Sequence, residues 1–296
     1  MAECNRQQTG VLLVVATPIG NLGDISARSL EALRSADLIA AEDTRHIARL
    51  LTHFSIRKPL ESFHGDSTEG KLQRLVRQLL AGETIAYVSD AGTPTISDPG
   101  AALVWQAAQA GITISPIPGP SAVTTALSAS GLNADRFLFL GYPPRKTGER
   151  TKFVATAIAQ PWTVVMYEAP SRVTATLAAL AAAAPDRTAV VAREMTKRFE
   201  QFLRGSLAEL AGQVAADQPR GEFVIIVEAQ APTGTSQPDH TTVLAGAGKL
   251  LQAGMSAKSA ADILSTLTGL SRNAAYEAVL QAARIRNAAS TDTEGG

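Results

Sequence analysis

Four residues within a span of five, Glu42, Asp43, Arg45 and His46, sit in the stretch AEDTRH, where an apolar run gives way to a helical pattern. Three further polar groups have the same mixed character. MYEAPSR carries Glu168 and Arg172 beside Met166 and Tyr167. REMTKRFE carries Arg193 and Lys197. PPRKTGERTK carries Arg145 and Lys146. Singly, each reads as a salt-bridged or exposed group. Gathered on the rims of one cleft, they form a mixed-charge site with enough cations to hold phosphates.

Three loops have the composition to line such a cleft: ATPIGNLGD, SDAGTPTISDPG and PIPGPSAV. Each follows an apolar run and mixes Gly or Pro with small hydroxyl residues. Glycine lets backbone approach a ligand closely, and proline fixes the loop's course. One such loop is ordinary turn chemistry. Three at successive strand ends suggest a binding edge, because open parallel sheets hold ligands beyond the carboxyl ends of their strands.

The elements that must carry these loops alternate along the chain. Strands are expected at VLLVVATP, DLIAAE, TIAYVSD and ITISPIPG, with helices at SARSLEALRSA, TRHIARLLTHF, PGAALVWQAAQAG and PSAVTTALSASG. For the third of these helices Asp98 is expected before the helix, Pro99 at its first position and Gly111 at its end. The second half repeats the pattern. Strands are expected at FLFLGY, WTVVMYEA, TAVVAREM, EQFLRG and EFVIIVEA, and helices at GERTKFVATAIAQ, SRVTATLAALAAAA and SLAELAGQVAAD. Alternation of this kind predicts an α/β fold with mostly parallel sheets covered by helices. The two strands flanking MTKRF predict an antiparallel hairpin. We expect α/β domains over 11–132 and 133–229 with a cleft between them, and a small helical module over 242–287. Residues 1–10, 230–241 and 288–296 read as flexible, the middle one as a Pro/Gly/Ser/Thr linker.

Composition narrows the function. The 296 residues carry 27 basic and 27 acidic side chains, so nucleic-acid binding would have to come from local patches. Cys4 is the only cysteine, which precludes an internal disulfide and fits a reducing, cytoplasmic setting. The run VLLVVA is too short to span a membrane and lacks the flanks of a signal peptide. Neither the phosphate-loop nor the dinucleotide fingerprint occurs; AGAGKL lacks the preceding strand and the Ser or Thr, and reads as helix surface. The four histidines, His46, His53, His64 and His240, show no ligand spacing, and no metal is expected.

The motifs together, from VVATPIGNLGDISARSLEAL through AEDTRHIARLL, SDAGTPTISDPG and YEAPSRV to RGEFVIIVE, resemble the ribosomal RNA small subunit methyltransferase I family within the tetrapyrrole methylases. The resemblance runs from Val11 to Glu228 and continues into LTGLSRNAAYEAVL. One departure is SFHGDSTEG, where relatives carry a His-rich polar stretch and His64 keeps part of it. The resemblance implies S-adenosylmethionine as methyl donor in the cleft, a homodimer, and the RNA of the small ribosomal subunit as partner, with no membrane. It implies 2′-O-methylation of a cytidine in the decoding region. It places Pro18, Asp90, Gly92, Thr93, Ser121 and Ala122 at the cofactor. Met166 or Tyr167 and the strand start at Phe223 then complete the adenosine site.

Transfer to a ribose hydroxyl needs alignment and a group to take the proton. Glu42, Asp43, His46 and Glu168 are the candidates, left unranked; Arg45, Arg145, Lys146, Arg172, Arg193 and Lys197 are the candidates for RNA phosphates. Two rivals stay open. One is methylation of a tetrapyrrole or other small molecule, which the polar AEDTRH and REMTKRFE disfavour. The other is a non-catalytic ribosome-assembly factor, which the intact loops disfavour.

Overall fold

The structure is a computed structural model describing residues 9–65, 68–98, 100–216, 219–230 and 240–291. Most of the segments expected to be flexible, and Pro99, lie outside the described residues. Contacts divide the chain into two units, Met1–Ala229 and Gln230–Gly296.

The first unit is built on two five-stranded sheets. The first sheet contains β1 (Val11–Val15), β2 (Leu38–Ala41), β3 (Leu60–Ser62), β4 (Ile85–Val88) and β5 (Thr113–Ile117) in the order β3-β2-β4-β1-β5. All its pairings are parallel. Such a sheet must be covered on both faces. Helices α1 (Ala27–Ser35) and α2 (Thr44–His53) send Leu33, Ile47 and Leu51 against Val15, Ile39 and Val88. On the other face α3 (Glu69–Leu80) and α4 (Ala101–Gln109) send Leu75, Leu79 and Leu103 against Leu12, Ile85 and Tyr87. Alternate residues of one strand therefore serve opposite faces, as the two-residue strand period requires. Pro116 is tolerated because β5 is an edge strand.

Two elements, β3 and α3, fall outside the sequence-derived alternation. At three residues β3 is too short to read. Helix α3 does carry a helical stripe, Leu72, Leu75, Val76 and Leu79, all buried. Helix α4 also differs from expectation. It begins at Ala101, and Gly100 rather than Asp98 stands before it, at φ +113°. A side chain at Gly100 would collide with the ring of Tyr87, so the turn needs both the left-handed backbone and the missing Cβ.

The second sheet contains β6 (Phe137–Phe139), β7 (Thr163–Glu168), β8 (Thr188–Arg193), β9 (Gln201–Ser206) and β10 (Phe223–Val227) in the order β6-β7-β10-β8-β9. The expectation of mostly parallel sheets is corrected here. Only β6 and β7 are parallel; β10 runs antiparallel to both β7 and β8, and β8 pairs antiparallel with β9. The expected hairpin is part of the reason, because the short loop 194–200 cannot make a parallel crossover. Helices α6 (Thr147–Ile158), α7 (Val173–Ala183) and α8 (Leu207–Ala216) cover one face through Val154, Leu177, Leu180 and Leu210. The other face is covered by α5 (Ala122–Ser130), whose Val123, Ala126 and Leu127 pack on Val165, Val190, Val224 and Ile226. The helix that follows the first sheet in sequence is thus core for the second.

In the second unit, α9 (His240–Gln252), α10 (Ala257–Thr268) and α11 (Arg272–Thr291) pack around Ala247, Ala260, Leu264, Ala275 and Val279. It extends past the expected 242–287 at both ends, and AGAGKL lies within α9. Ser256 caps α10 by accepting from the Ser259 amide at 3.2 Å, and Gly269 ends it at φ +70°.

Candidate active site

Strands β4, β1 and the edge strand β5 are neighbours, so their carboxyl-end loops emerge side by side. They are laced together. Thr17 and Gly92 exchange backbone hydrogen bonds of 2.9 and 3.0 Å. The Thr17 hydroxyl donates to the Ser89 carbonyl at 3.1 Å, and the Thr93 hydroxyl to the Pro120 carbonyl at 3.2 Å. The loop from β4 is strained as well: Thr95 and Ser97 have φ of +72° and +60°. For a β-branched residue this is a costly conformation, held only because the surroundings determine it.

These loops form one wall of a cleft of about 400 Å³. Asp90, Gly92, Thr93, Ile96, Asp98, Ser121 and Ala122 line it from the first half, with Glu42 from the end of β2. Tyr142, Tyr167, Glu168, Met195, Glu222 and Phe223 line it from the second. Of the residues singled out from sequence, Glu42, Asp90, Gly92, Thr93, Ser121, Ala122, Tyr167, Glu168 and Phe223 come together here. Pro18, His46 and Lys197 instead line an adjoining cavity of about 300 Å³. The side chain of Met166 is buried in the core beneath the helices of the second sheet.

The cleft wall is acidic. Burial, reinforced by Asp98 and Asp90, pushes the Glu42 carboxyl up to about 7. Asp98 is itself raised by burial, and its carboxyl is hydrogen-bonded to Glu42 and Ser89. Asp90 accepts the Asp43 amide at 2.9 Å and so fastens the AEDTRH turn to the loop from β4. Aromatic rings line the far side: Tyr167 stands edge-on to Phe139 at 4.8 Å and to Tyr142 at 5.4 Å. Burial pushes the Tyr167 phenol up to about 12.

The other candidates have structural partners. Asp43 caps α2 by accepting the Arg45 amide at 2.8 Å and grips the Arg45 guanidinium at 2.7 Å, which holds its carboxyl well below the usual range. Glu168 is closed to solvent. Its oxygens accept Arg172 at 2.6 Å, the Thr176 hydroxyl at 2.6 Å and the Ala169 amide at 2.8 Å. Arg172 also donates to the Pro143 carbonyl at 2.9 Å, tying the loop after β6 to the turn after β7. Arg193 donates to the Arg220 carbonyl at 3.0 Å and lies over the Phe223 ring. Lys197 bridges Glu194 and Glu222 at 3.0 Å each. Arg145 and Lys146 are exposed, Lys146 with Glu149 at 3.4 Å.

Sequence reasoning missed Asp98 and Tyr142 as lining groups. Asp98 carried a signal, a second acid in the Gly/Pro loop, but it read as a helix cap. Among the described residues, no group of three or more His, Cys, Asp or Glu is disposed to hold a metal, and no helix is long and apolar enough to cross a membrane.

Residues 11–211 match the family model of the Tetrapyrrole (Corrin/Porphyrin) Methylases, and 238–283 match that of the RsmI C-terminal HTH domain. The chain is 45% identical to ribosomal RNA small subunit methyltransferase I of Xylella fastidiosa strain Temecula1, over 90% of this chain and 98% of that one. It is 44% identical to the protein of that name from Pseudomonas aeruginosa, over 92% and 97%. The chain belongs to the ribosomal RNA small subunit methyltransferase I family of tetrapyrrole methylases. Other tetrapyrrole methylase-like structures share the fold at low identity. Diphthine synthase superposes with a TM-score of 0.59 at 19% identity, over 75% of this chain and 91% of its own. The methyltransferase CobJ gives 0.57 at 21%, over 75% and 95%.

Proposed function

We propose that the chain transfers a methyl group from S-adenosylmethionine to the ribose 2′-hydroxyl of a cytidine in the decoding region of small-subunit ribosomal RNA. The observation that carries the reading is the near full-length similarity to relatives named for methylation of that RNA. The choice of cytidine and 2′-oxygen rests on the family resemblance. The cleft suits the cofactor. Its volume lies within the usual range for small-molecule sites, roughly 300–1,000 Å³. Its carboxylates favour a cationic ligand, and the rings of Tyr167 and Tyr142 offer an apolar bed for a base.

When bound, S-adenosylmethionine supplies an activated methyl on a sulfonium. Gly92, Thr93, Ser121 and Ala122 would hold the cofactor largely through backbone, with Asp90 as the charged partner. Glu42 is our choice of proton acceptor. A carboxyl raised to about 7 is half ionised near neutrality, where a general base works best. We assign Glu168 a strut's role, since each of its oxygens already accepts from the protein. Residues 11–132 and 133–229 act as the two lobes of the cleft, in a cytoplasmic homodimer; light scattering tests the dimer.

The test is radiolabelled methyl transfer to purified small subunits, naked small-subunit RNA and a porphyrinoid. We expect label at a ribose of the RNA. Label in the porphyrinoid alone would move the protein to the small-molecule reading, and RNA binding without label to the assembly-factor reading.

A further inference from the structure

The second cavity, lined by Pro18, His46 and Lys197, has no part in the cofactor site proposed above. It has about 300 Å³ and lies beside the first cleft, and the two share Asp90 and Glu222 as wall. Its outer rim has a different charge. His46 and Arg49 stand one turn apart on the exposed face of α2, and Lys197 faces them from the β8–β9 loop. Lys197 is already bridged to two carboxylates. Arg49 and His46 are exposed, and no hydrogen bond or ion pair engages either side chain among the described residues. The two sides of this cavity are brought close at Gly20, where a Cβ would come within 2.6 Å of the Lys197 side chain and 2.7 Å of the Thr196 hydroxyl. The cavity is therefore acidic where it meets the first cleft, with Glu222 paired to Lys197 there, and cationic on the α2 side at exposed Arg49.

That polarity matches one half of a nucleotide: a neutral sugar hydroxyl inward and an anionic phosphate outward. We propose that this cavity receives the acceptor nucleotide and that Arg49, with His46, holds the RNA phosphate next to the methylated ribose. The proposal rests on the RNA methyltransferase reading. It adds Arg49, a cation on α2 given no role in the sequence analysis, and gives His46 a phosphate to hold in place of proton acceptance.

Binding of a small-subunit RNA fragment across a salt series, without methyl transfer, tests it. For Arg49→Gln we expect affinity to fall roughly tenfold to a hundredfold, as for loss of a charged hydrogen bond. The slope of log affinity against log salt should fall by about 0.7. Arg49→Lys should keep the slope, and calorimetric affinity for S-adenosylmethionine should be unchanged in both. An unchanged slope in Arg49→Gln overturns the proposal, including the case where inorganic phosphate alone loses affinity. So does a loss of S-adenosylmethionine affinity, which would give the cavity to the cofactor's carboxylate. Wild-type labelling tests the underlying reading, whereas the difference between variant and wild type tests only the cavity.

Discussion

At the level of single residues, the site depends on carboxylates held in unlike surroundings. Asp90 reaches both the cleft and the Asp43 amide. Asp90→Ala should weaken S-adenosylmethionine binding roughly tenfold to a hundredfold, read by calorimetry, with thermal unfolding showing a retained fold. Unchanged affinity in the folded variant removes Asp90 from the cofactor. Glu42 makes two separate claims. If it accepts the proton, the methyl-transfer rate rises with pH through about 7 and levels above it. Glu42→Gln should then lose that limb and about a hundredfold or more in rate. Its effect on stability has a defined sign. The folded value, about 7, lies above the ordinary 4.5, so ionisation costs stability, and the cost accrues as pH rises between those values. Glu42→Gln should therefore melt above wild type at pH 8 and close to it at pH 4. A variant that melts lower at pH 8 would mean that the carboxylate is favoured there. Composition could bring Glu42 to notice, but not its raised value, which depends on burial and then on Asp98 and Asp90 coming near it after the loop folds.

At the level of elements, the parallel first sheet was legible because its apolar runs are bounded by Gly/Pro loops and separated by helical stripes. Three-residue β3 has too few positions to show any period. The antiparallel insertion of β10 was hidden for another reason: strand direction follows from connections and pairing, and EFVIIVEA has the same composition in either direction. The loops that line the cleft were readable because close backbone approach and fixed turns need Gly, Pro and small hydroxyls in sequence. The partners of the cationic candidates were not, since they are set by tertiary neighbours: Arg172 pairs with Glu168, Arg193 donates to the Arg220 carbonyl and Lys197 bridges Glu194 and Glu222. Arg145 and Lys146 remain exposed, at the loop leading into α6. Replacing both with Ala should weaken RNA binding and reduce the salt slope by about 0.7–0.9 per lost phosphate contact, leaving S-adenosylmethionine affinity alone. Identical slopes for wild type and double variant would put this loop off the RNA path.

At the level of the molecule, the chain joins a cleft-bearing unit to a three-helix unit. The latter offers Lys249 and Lys258 but ties Arg272 to Asp262 at 2.7 Å. Ending the chain after Ala229 should spare S-adenosylmethionine affinity and weaken binding to small subunits; a collapse of cofactor binding would make the second unit structural instead. The cleft-bearing unit divides less readily. Because α5 supplies Val123, Ala126 and Leu127 to the face of the second sheet, a cut near residue 132 leaves one fragment with an orphan greasy helix and the other with a bare sheet. Expressed apart, each half should aggregate, and expressed together they should reassemble. Methyl transfer could thus be made conditional on the meeting of two polypeptides, with α5 as the clasp.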